Sequence, residues 1–376
     1  MSPSLARPVN IIVVGGYGAF GARAAERLAR HDDLRIVIAG RSAEKARAAA
    51  DALARTAKAE VGHAAIDAVR PNLDALRGVG PAVIINASGP FQAQHYALAE
   101  AAISIGVHYV DLADARAFVT GIGMLDTKAR AANVLVTSGA SSVPAVAAAI
   151  IDAQLPDFSR LDAIHHGITP GNGYDPGEAT IASILGGVGQ PMQVWEGGRW
   201  RTEHGWLGLW RYRFPGLGNR FMTACDVPDL DLFPARYPGV SSVRFSAGLE
   251  VAPFQLSLWA LAGLFRAGLA PAPERLAGAL MWLKRRLRFL GSNAGGMFVH
   301  LDGIGRDGQP LTREVVLIAR QNQGPYVPAI ASVVLARKLA RGQLGSRGAM
   351  PCVGLLTLAE FEAEVEDLAI TVSRSR

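Results

Sequence analysis

The stretch "IIVVGGYGAFGARAAERLA", residues 11–29, narrows the folds open to this chain more than any other. Four consecutive apolar residues run straight into a glycine-studded turn, and the turn runs into a segment of helical character. A strand buried on both faces reads as a continuous apolar run, and a strand–turn–helix step opens a βαβ unit. Gly16, Gly18 and Gly21 fit GxGxxG. The first permits the tight turn, the second lets backbone approach a pyrophosphate, and the third allows the helix to pack closely on the strand. Backbone N–H groups at the helix start then meet the phosphate charge. The cofactor-binding set expected here is Gly16, Tyr17, Gly18, Ala19, Phe20 and Gly21.

The same alternation continues to about residue 150. Strands are expected at "NIIVV", "RIVIAG", "VGHAAID", "AVIINAS", "HYVDLA" and "NVLVTSG". Helices are expected at about 19–30, 43–57, 71–76, 92–105 and 124–132, the second of them capped by Ser42. Short apolar strands separated by helices imply an α/β class: a Rossmann-type, doubly wound parallel sheet covered on both faces. Residues 1–152 are read as this dinucleotide-binding domain. Residues 153–325 are richer in aromatics, glycine and proline and carry longer, mixed strands such as "LDAIHHGI" and "VSSVRFSAGLE". They are read as an α+β substrate or dimerisation domain with a mixed or antiparallel sheet. The segment 295–320 reads as a hairpin turning at "RDGQ". Residues 326–376 are read as C-terminal helices returning to the first domain, one over about 329–341 and one beginning at Thr357, where Thr357 and Glu360 form a capping-box pattern.

The end of the second strand selects the cofactor. An NAD-type site places Asp or Glu there for the ribose hydroxyls. This chain has Gly40, Arg41 and Ser42 instead. A guanidinium offers a 2′-phosphate two parallel donors beside the serine hydroxyl, so NADP is expected on Arg41 and Ser42, and Asp67 is counted in the cofactor-binding set. Asn86, Ala87, Ser88, Gly89 and Pro90 follow the fourth strand, where the nicotinamide half of a dinucleotide sits, and join the set together with Asp111.

"NASGPF" at 86–91 followed by "ALAEAAISIGVHYVDLAD" at 97–114 resembles the saccharopine dehydrogenase-like family of NADP-binding proteins. Asn86, Gly89, Pro90, Phe91, Gly106, Tyr109 and Asp111 match its N-x-x-G-P-F/Y turn and its G-x-x-Y-x-D. "GASSVPAVAAAIID" at 139–152 is similar to the family's G-x-x-S-V-P turn, and "QGPYVPAIASVVLARKL" with "GAMPCVGLLTLAEFE" to its C-terminal return. The likeness is dense over the first domain and thin between about 155 and 300. Where the family usually continues with a Gly-Glu pair, this chain reads Ala113, Asp114, Ala115, Arg116. The resemblance implies NADP(H)-dependent hydride transfer to or from an imine or secondary amine, or an enoyl or carbonyl acceptor. The alternative is a catalytically silent NADP-binding sensor or scaffold, kept because no complete acid–base constellation stands out.

Hydride transfer needs a proton donor where charge develops. No tyrosine has a lysine four positions on, so the Tyr-x-x-x-Lys solution is excluded. The catalytic candidates are Asp111, His95, His165, His166 and Tyr174, the last three in or beside the polar patch "HHGITPGNGYDPGEAT" at 165–180, which also holds Glu178. Arg199, Arg201, Arg211, Arg213 and Arg220 would suit a carboxylate-bearing substrate, whereas the interleaved Trp195, Trp200, Trp206 and Trp210 would suit a lipophilic one.

Composition closes off several classes. The net charge is +6 with five lysines and no basic tail, so nucleic acid is not an expected partner. Cys225 and Cys352 make no disulfide framework or zinc spacing, so no metal is expected and a reducing, cytoplasmic setting with inert thiols is. "FQLSLWALAGLF" at 254–265 falls short of a membrane span and is read as a buried helix, with a peripheral membrane contact as the alternative because "KRR" follows at 284–286. Leu276, Leu280, Leu283, Leu287 and Leu290 form a helical stripe that packs into the core or makes a dimer face, and a homodimer is expected.

Overall fold

Ile11, Ile12, Val13 and Val14 are at most 1% exposed, as a central strand of a covered sheet requires. The computed structural model describes residues 8–92, 94–174, 177–269, 278, 282 and 286–375. Two units divide the chain: residues 1–146 with 328–356, and residues 147–327 with 357–376.

In the first unit β1 (Val9–Val14), α1 (Ala19–Leu28), β2 (Leu34–Gly40), α2 (Ala43–Ala54), β3 (Glu60–Ala65), α3 (Leu73–Val79) and β4 (Val83–Asn86) follow one another. Then come α4 (Ala97–Ser104), β5 (His108–Asp111), the short helices α5 (Arg116–Gly121) and α6 (Asp126–Ala131), and β6 (Leu135–Ser138). The strands form a parallel sheet of order β15-β6-β5-β4-β1-β2-β3, with β15 (Gly348–Pro351) added at the β6 edge. The order reverses between β1 and β4, so the carboxyl ends of these two strands border the crevice where such sheets bind ligands. Local chemistry sets the helix starts. Ser42 accepts the Lys45 amide at 3.2 Å to cap α2, and Asn72 accepts the Asp74 and Ala75 amides to cap α3. Helix α1 buries Gly21, Ala24 and Ala25, small residues that let it lie close to the sheet, together with Leu28.

The second unit holds α7 (Ala147–Gln154), β7 (Phe158–Thr169), α8 (Gly177–Gly186), β8 (Pro191–Glu196), β9 (Arg199–His204), β10 (Trp210–Phe214) and β11 (Gly218–Ala224). It continues with α9 (Asp229–Arg236), β12 (Ser242–Ala247), α10 (Ala252–Arg266), β13 (Gly295–Gly305) and β14 (Pro310–Ala319). Nine strands make a mixed sheet whose main path is β10-β11-β12-β7-β13-β14-β16, with β16 (Ile370–Arg374) at one edge and β8 pairing β12 and β9. Only β12 and β7 run parallel in that path; the β13–β14 hairpin is antiparallel throughout, from Gly295↔Ala319 to Ile304↔Pro310.

Three expectations need correction. The segment 326–376 does not return as a block of helices. Most of α11 (Val327–Ala340) and all of β15 belong to the first unit, whereas α12 (Leu358–Val365) and β16 (Ile370–Arg374) belong to the second. The cause is main-chain pairing, since β16 runs antiparallel to β14 from Ile370↔Ala319 to Arg374↔Val315. The entry into the second unit likewise falls at Val146/Ala147 rather than after residue 152. Finally, the apolar stretch 254–265 is helical but not buried: α10 buries only the stripe Gln255, Leu258 and Ala262. Leu276, Leu280 and Leu283 of the leucine stripe lie outside the described residues, and Leu290 is exposed. The Thr357 capping box forms, with the Glu360 amide donating to Thr357 Oγ1 at 3.2 Å and the Thr357 amide to Glu360 Oε2 at 2.9 Å.

Candidate functional site

The turn after β1 is held from two sides. The Gly15 and Gly16 amides donate to the Ala39 carbonyl at 2.8 and 3.2 Å, and the Gly18 amide donates to the Gly15 carbonyl at 2.8 Å. Gly15, which the GxGxxG spacing does not single out, carries the strained conformation. Its φ is +79°, and a Cβ there would lie 2.7 Å from the Ala87 carbonyl. The "GG" doublet at 15–16 is the sequence signal for it. Gly21 meets the turn from the helix side, where a Cβ would sit 2.3 Å from the Gly15 carbonyl oxygen. Helix α1 therefore starts against the turn, with Ala19 and Phe20 in its first turn. Gly18 provides no side-chain cap there, and the first turn holds no acid. An uncapped, acid-free helix start facing the switch point suits phosphate groups.

Tyr17 joins this turn to the end of β2. Its ring lies across Gly40, where a Cβ would be 2.5 Å from the ring edge, and its hydroxyl accepts the Ser42 amide at 3.3 Å. Arg41 is exposed beside it, and Ser42 is half-buried as the cap of α2. Asp67 lies just beyond β3, and its Oδ1 accepts the Val69 amide at 2.9 Å. The Ile66 amide pairs with the Gly40 carbonyl, so these residues border one end of the sheet.

The turn after β4 is self-contained. Asn86, 2% exposed, donates from Nδ2 to the Tyr109 hydroxyl at 3.0 Å. Its Oδ1 accepts the Ser88 amide at 3.1 Å and the Ser88 hydroxyl at 2.5 Å. Gln94 Nε2 donates to the Ser88 and Pro90 carbonyls, which closes the loop over the cis Gly89–Pro90 step. Asn86 thus orients the turn, in which Ala87, Ser88 and Gly89 are half-buried and Pro90 is exposed.

Asp111 ends β5 with no exposed surface. Its Oδ1 accepts the Ser138 hydroxyl at 2.8 Å, the Gly139 amide at 2.9 Å and the Ala113 amide at 3.0 Å. Burial pushes its pKa up to about 6 against the opposing pull of these hydrogen bonds. Nearby, burial pushes the Cys352 thiol up to about 12, which makes it unreactive. His95 is exposed, between the 86–91 turn and α4.

The remaining candidates belong to the second unit and do not form one cluster. His165 and His166 are neighbours on β7 and point to opposite faces, as alternation along a strand demands. His166 is fully buried against Phe233 and Phe245, with Nε2 3.6 Å from Asp229 Oδ1. Burial drives the imidazole down to about 3, so it is neutral near pH 7, and pushes the Asp229 carboxyl well above the usual carboxylate range. His165 packs on Trp210 and Phe298 and meets the Ser246 hydroxyl at 3.0 Å. Burial, with Arg244 nearby, takes it down to about 4. Tyr174 is half-buried beyond the end of β7, and the side chain of Glu178 lies outside the described residues. The arginines are dispersed. Arg220 pairs with Glu250 at 3.0 Å, Arg201 with Glu196 at 3.5 Å, and Arg211 lies over the Phe221 ring.

Residues 11–148 match the family model described as the saccharopine dehydrogenase NADP binding domain. No curated protein matches the chain. Among solved structures, apo histidine-tagged saccharopine dehydrogenase (L-Glu forming) from Saccharomyces cerevisiae is similar over 98% of this chain and 100% of its own, with a TM-score of 0.69 at 14% identity. A meso-dapdh mutant with DAP from Clostridium tetani covers 96% of this chain and 99% of its own at 12% identity, with a TM-score of 0.45. A dehydrogenase from Chromobacterium violaceum covers 84% and 76% at 13% identity, with a TM-score of 0.39. The first unit is therefore an NADP-binding, dehydrogenase-type domain that takes a nicotinamide cofactor, and the chain has the saccharopine dehydrogenase fold.

Proposed function

We propose that this protein is an NADP(H)-dependent oxidoreductase that transfers hydride to or from an imine or secondary amine, or an enoyl or carbonyl acceptor. The observation that carries the cofactor choice is the end of β2, where exposed Arg41 and the α2 cap Ser42 stand where an NAD site has an acid. The start of α1 would hold the pyrophosphate, and Arg41 with the α2 amide end would hold the 2′-phosphate. When bound, the nicotinamide ring supplies or accepts the hydride. Asp111 is assigned a positioning role: its carboxylate ties the Ala113 and Gly139 amides, and so the chain beyond β5 and β6, in place. Arg41→Ala is expected to weaken NADPH binding about 10- to 100-fold, since a charged hydrogen-bonding partner is lost, with NADH binding unchanged. Equal NADPH affinity in the two proteins, measured by calorimetry, refutes the 2′-phosphate assignment.

A second reading has one observation in its favour. Among the described residues of each unit, the sequence's acid–base candidates are buried neutral, tied to backbone, or apart from one another. A silent NADP-binding sensor or scaffold fits that arrangement. NADPH consumption against imines, keto acids and enoyl thioesters separates the two, because tight binding without turnover across the panel supports the sensor.

A further inference from the structure

The hairpin of β8 and β9 presents an open edge of the second unit's sheet. The two strands pair without a break from Pro191↔His204 to Glu196↔Arg199, and β9 has no other strand beside it among the described residues. Gly197 and Gly198, with φ of +60° and +72°, make the two-residue turn whose twist matches that of the strands. Such a turn brings the Arg199 amide to the Glu196 carbonyl, so Arg199, Arg201 and Glu203 direct their main-chain groups at β8. The same alternation continues at Gly205, whose amide donates to the Gln190 carbonyl at 2.9 Å. Trp200, Thr202 and His204 therefore direct theirs away from β8. The hairpin is held in place, since Trp195 Nε1 donates to the Val240 carbonyl at 2.9 Å and the Gly198 amide to the Ser241 carbonyl at 2.8 Å. Arg199, Arg201 and Thr202 are exposed along it.

A straight, exposed edge invites a further strand, and proteins usually guard one with proline, a bulge or charge. β9 contains neither proline nor bulge, and its charges are ones that a second β9 satisfies. A two-fold axis sets two identical strands antiparallel. With Thr202 opposite Thr202 of the second copy, Arg201 faces Glu203 and Glu203 faces Arg201 across the join. Trp200 then lies opposite His204 on the other face. A shift of two residues sets Arg201 against Arg201 or Glu203 against Glu203, so like charges reject the neighbouring registers. A shift of one residue puts the main-chain groups out of phase. Contacts within the chain leave these charges room for that pairing. Glu196 takes both Arg201, at 3.5 Å, and Arg244, while Glu203 makes no ion pair among the described residues. We propose that β9 pairs with β9 of a second copy, antiparallel and centred on Thr202, so that the chain dimerises by joining two sheets.

The test is sedimentation equilibrium of the full chain over a wide range of concentration. The expected result is a species of twice the chain's 39.6 kDa that dissociates on dilution. Arg201→Glu and Glu203→Arg each place like charges at both contacts and should weaken the dimer about 30-fold or more. Mixing the two variants restores opposite charges at both contacts, so a heterodimer should form with an affinity near the parent's. That recovery also shows that both variants are folded. A parent that remains at 39.6 kDa throughout overturns the proposal and leaves the edge to a strand of another protein. So does either variant dimerising as the parent does, or a mixture that stays monomeric.

Discussion

Replacing Asp111 by asparagine tests whether this carboxyl is a positioning group held at an energetic cost. In the native protein it ionises at about 6, against an ordinary value of 3.8. Between those values the native state holds the proton that the unfolded chain has released. Stability therefore falls as pH rises through this window, and the loss is complete above the native pKa. At about 1.4 kcal/mol per pH unit, the full penalty near neutrality is about 3 kcal/mol. Asparagine keeps the shape and an oxygen to accept from Ser138, Gly139 and Ala113, and carries no charge. Its amide nitrogen would replace Oδ2, a buried atom without a hydrogen-bond partner among the described residues, and an unpaired donor costs about 1–3 kcal/mol. The variant is thus expected to match or exceed the parent by about 0–2 kcal/mol at about pH 8. The decisive quantity is the change of that difference with pH. Relative to the parent, Asp111→Asn should gain about 2 kcal/mol on going from about pH 4.5 to about pH 8, while Asp229 and Asp114, whose carboxyls are also raised, titrate alike in both proteins. Urea denaturation at both pH values measures it, read on the transition that added NADPH moves to higher urea, which reports the first unit. A difference that does not vary with pH, or one that moves against the variant, refutes the assignment.

Gly21→Ala places a methyl 2.3 Å from the Gly15 carbonyl oxygen, so α1 must move off the turn. A stability loss of about 1–3 kcal/mol and a cofactor affinity lower by at least about tenfold are expected from thermal melts and calorimetry. Phe298→Ala removes a ring that is 1% exposed and stacked on Tyr212 at 4.1 Å, and should cost about 3–5 kcal/mol in urea denaturation of the second unit. Thr357→Ala breaks the capping box of α12 and should cost about 1 kcal/mol by the same measurement.

The first unit was legible because its signals are local. Buried strands, the glycine turn and the Ser42 cap each read within a few residues, and β1, α1 and β2 form within two or three residues of where the sequence places them. The strand at 348–351 was missed because four residues of "GAMP" carry no pattern, and only pairing with β6 defines them. The site is less legible for the same reason. Asp111 matches a motif, yet its role depends on Ser138 and Gly139, which the fold brings from the next strand. The histidine doublet announces two opposite faces through strand alternation. What it cannot announce is that Phe233, Phe245 and Asp229 enclose one ring while Trp210, Phe298 and Ser246 enclose the other.

The order in which the sheets are completed bears on how this protein is made. β6 emerges from the ribosome long before β15, its parallel neighbour, because β7 to β14 of the second unit are synthesised in between. Until then the nascent first unit presents β6 as an open edge, a template for pairing with the wrong chain. The second unit waits even longer, since β16, the neighbour of β14, ends only at Arg374. A ribosome stalled between residues 319 and 348 therefore leaves two unfinished edges, β6 and β14, on one polypeptide. Chaperone dependence should therefore track the synthesis of residues 319–374 rather than the emergence of the first unit.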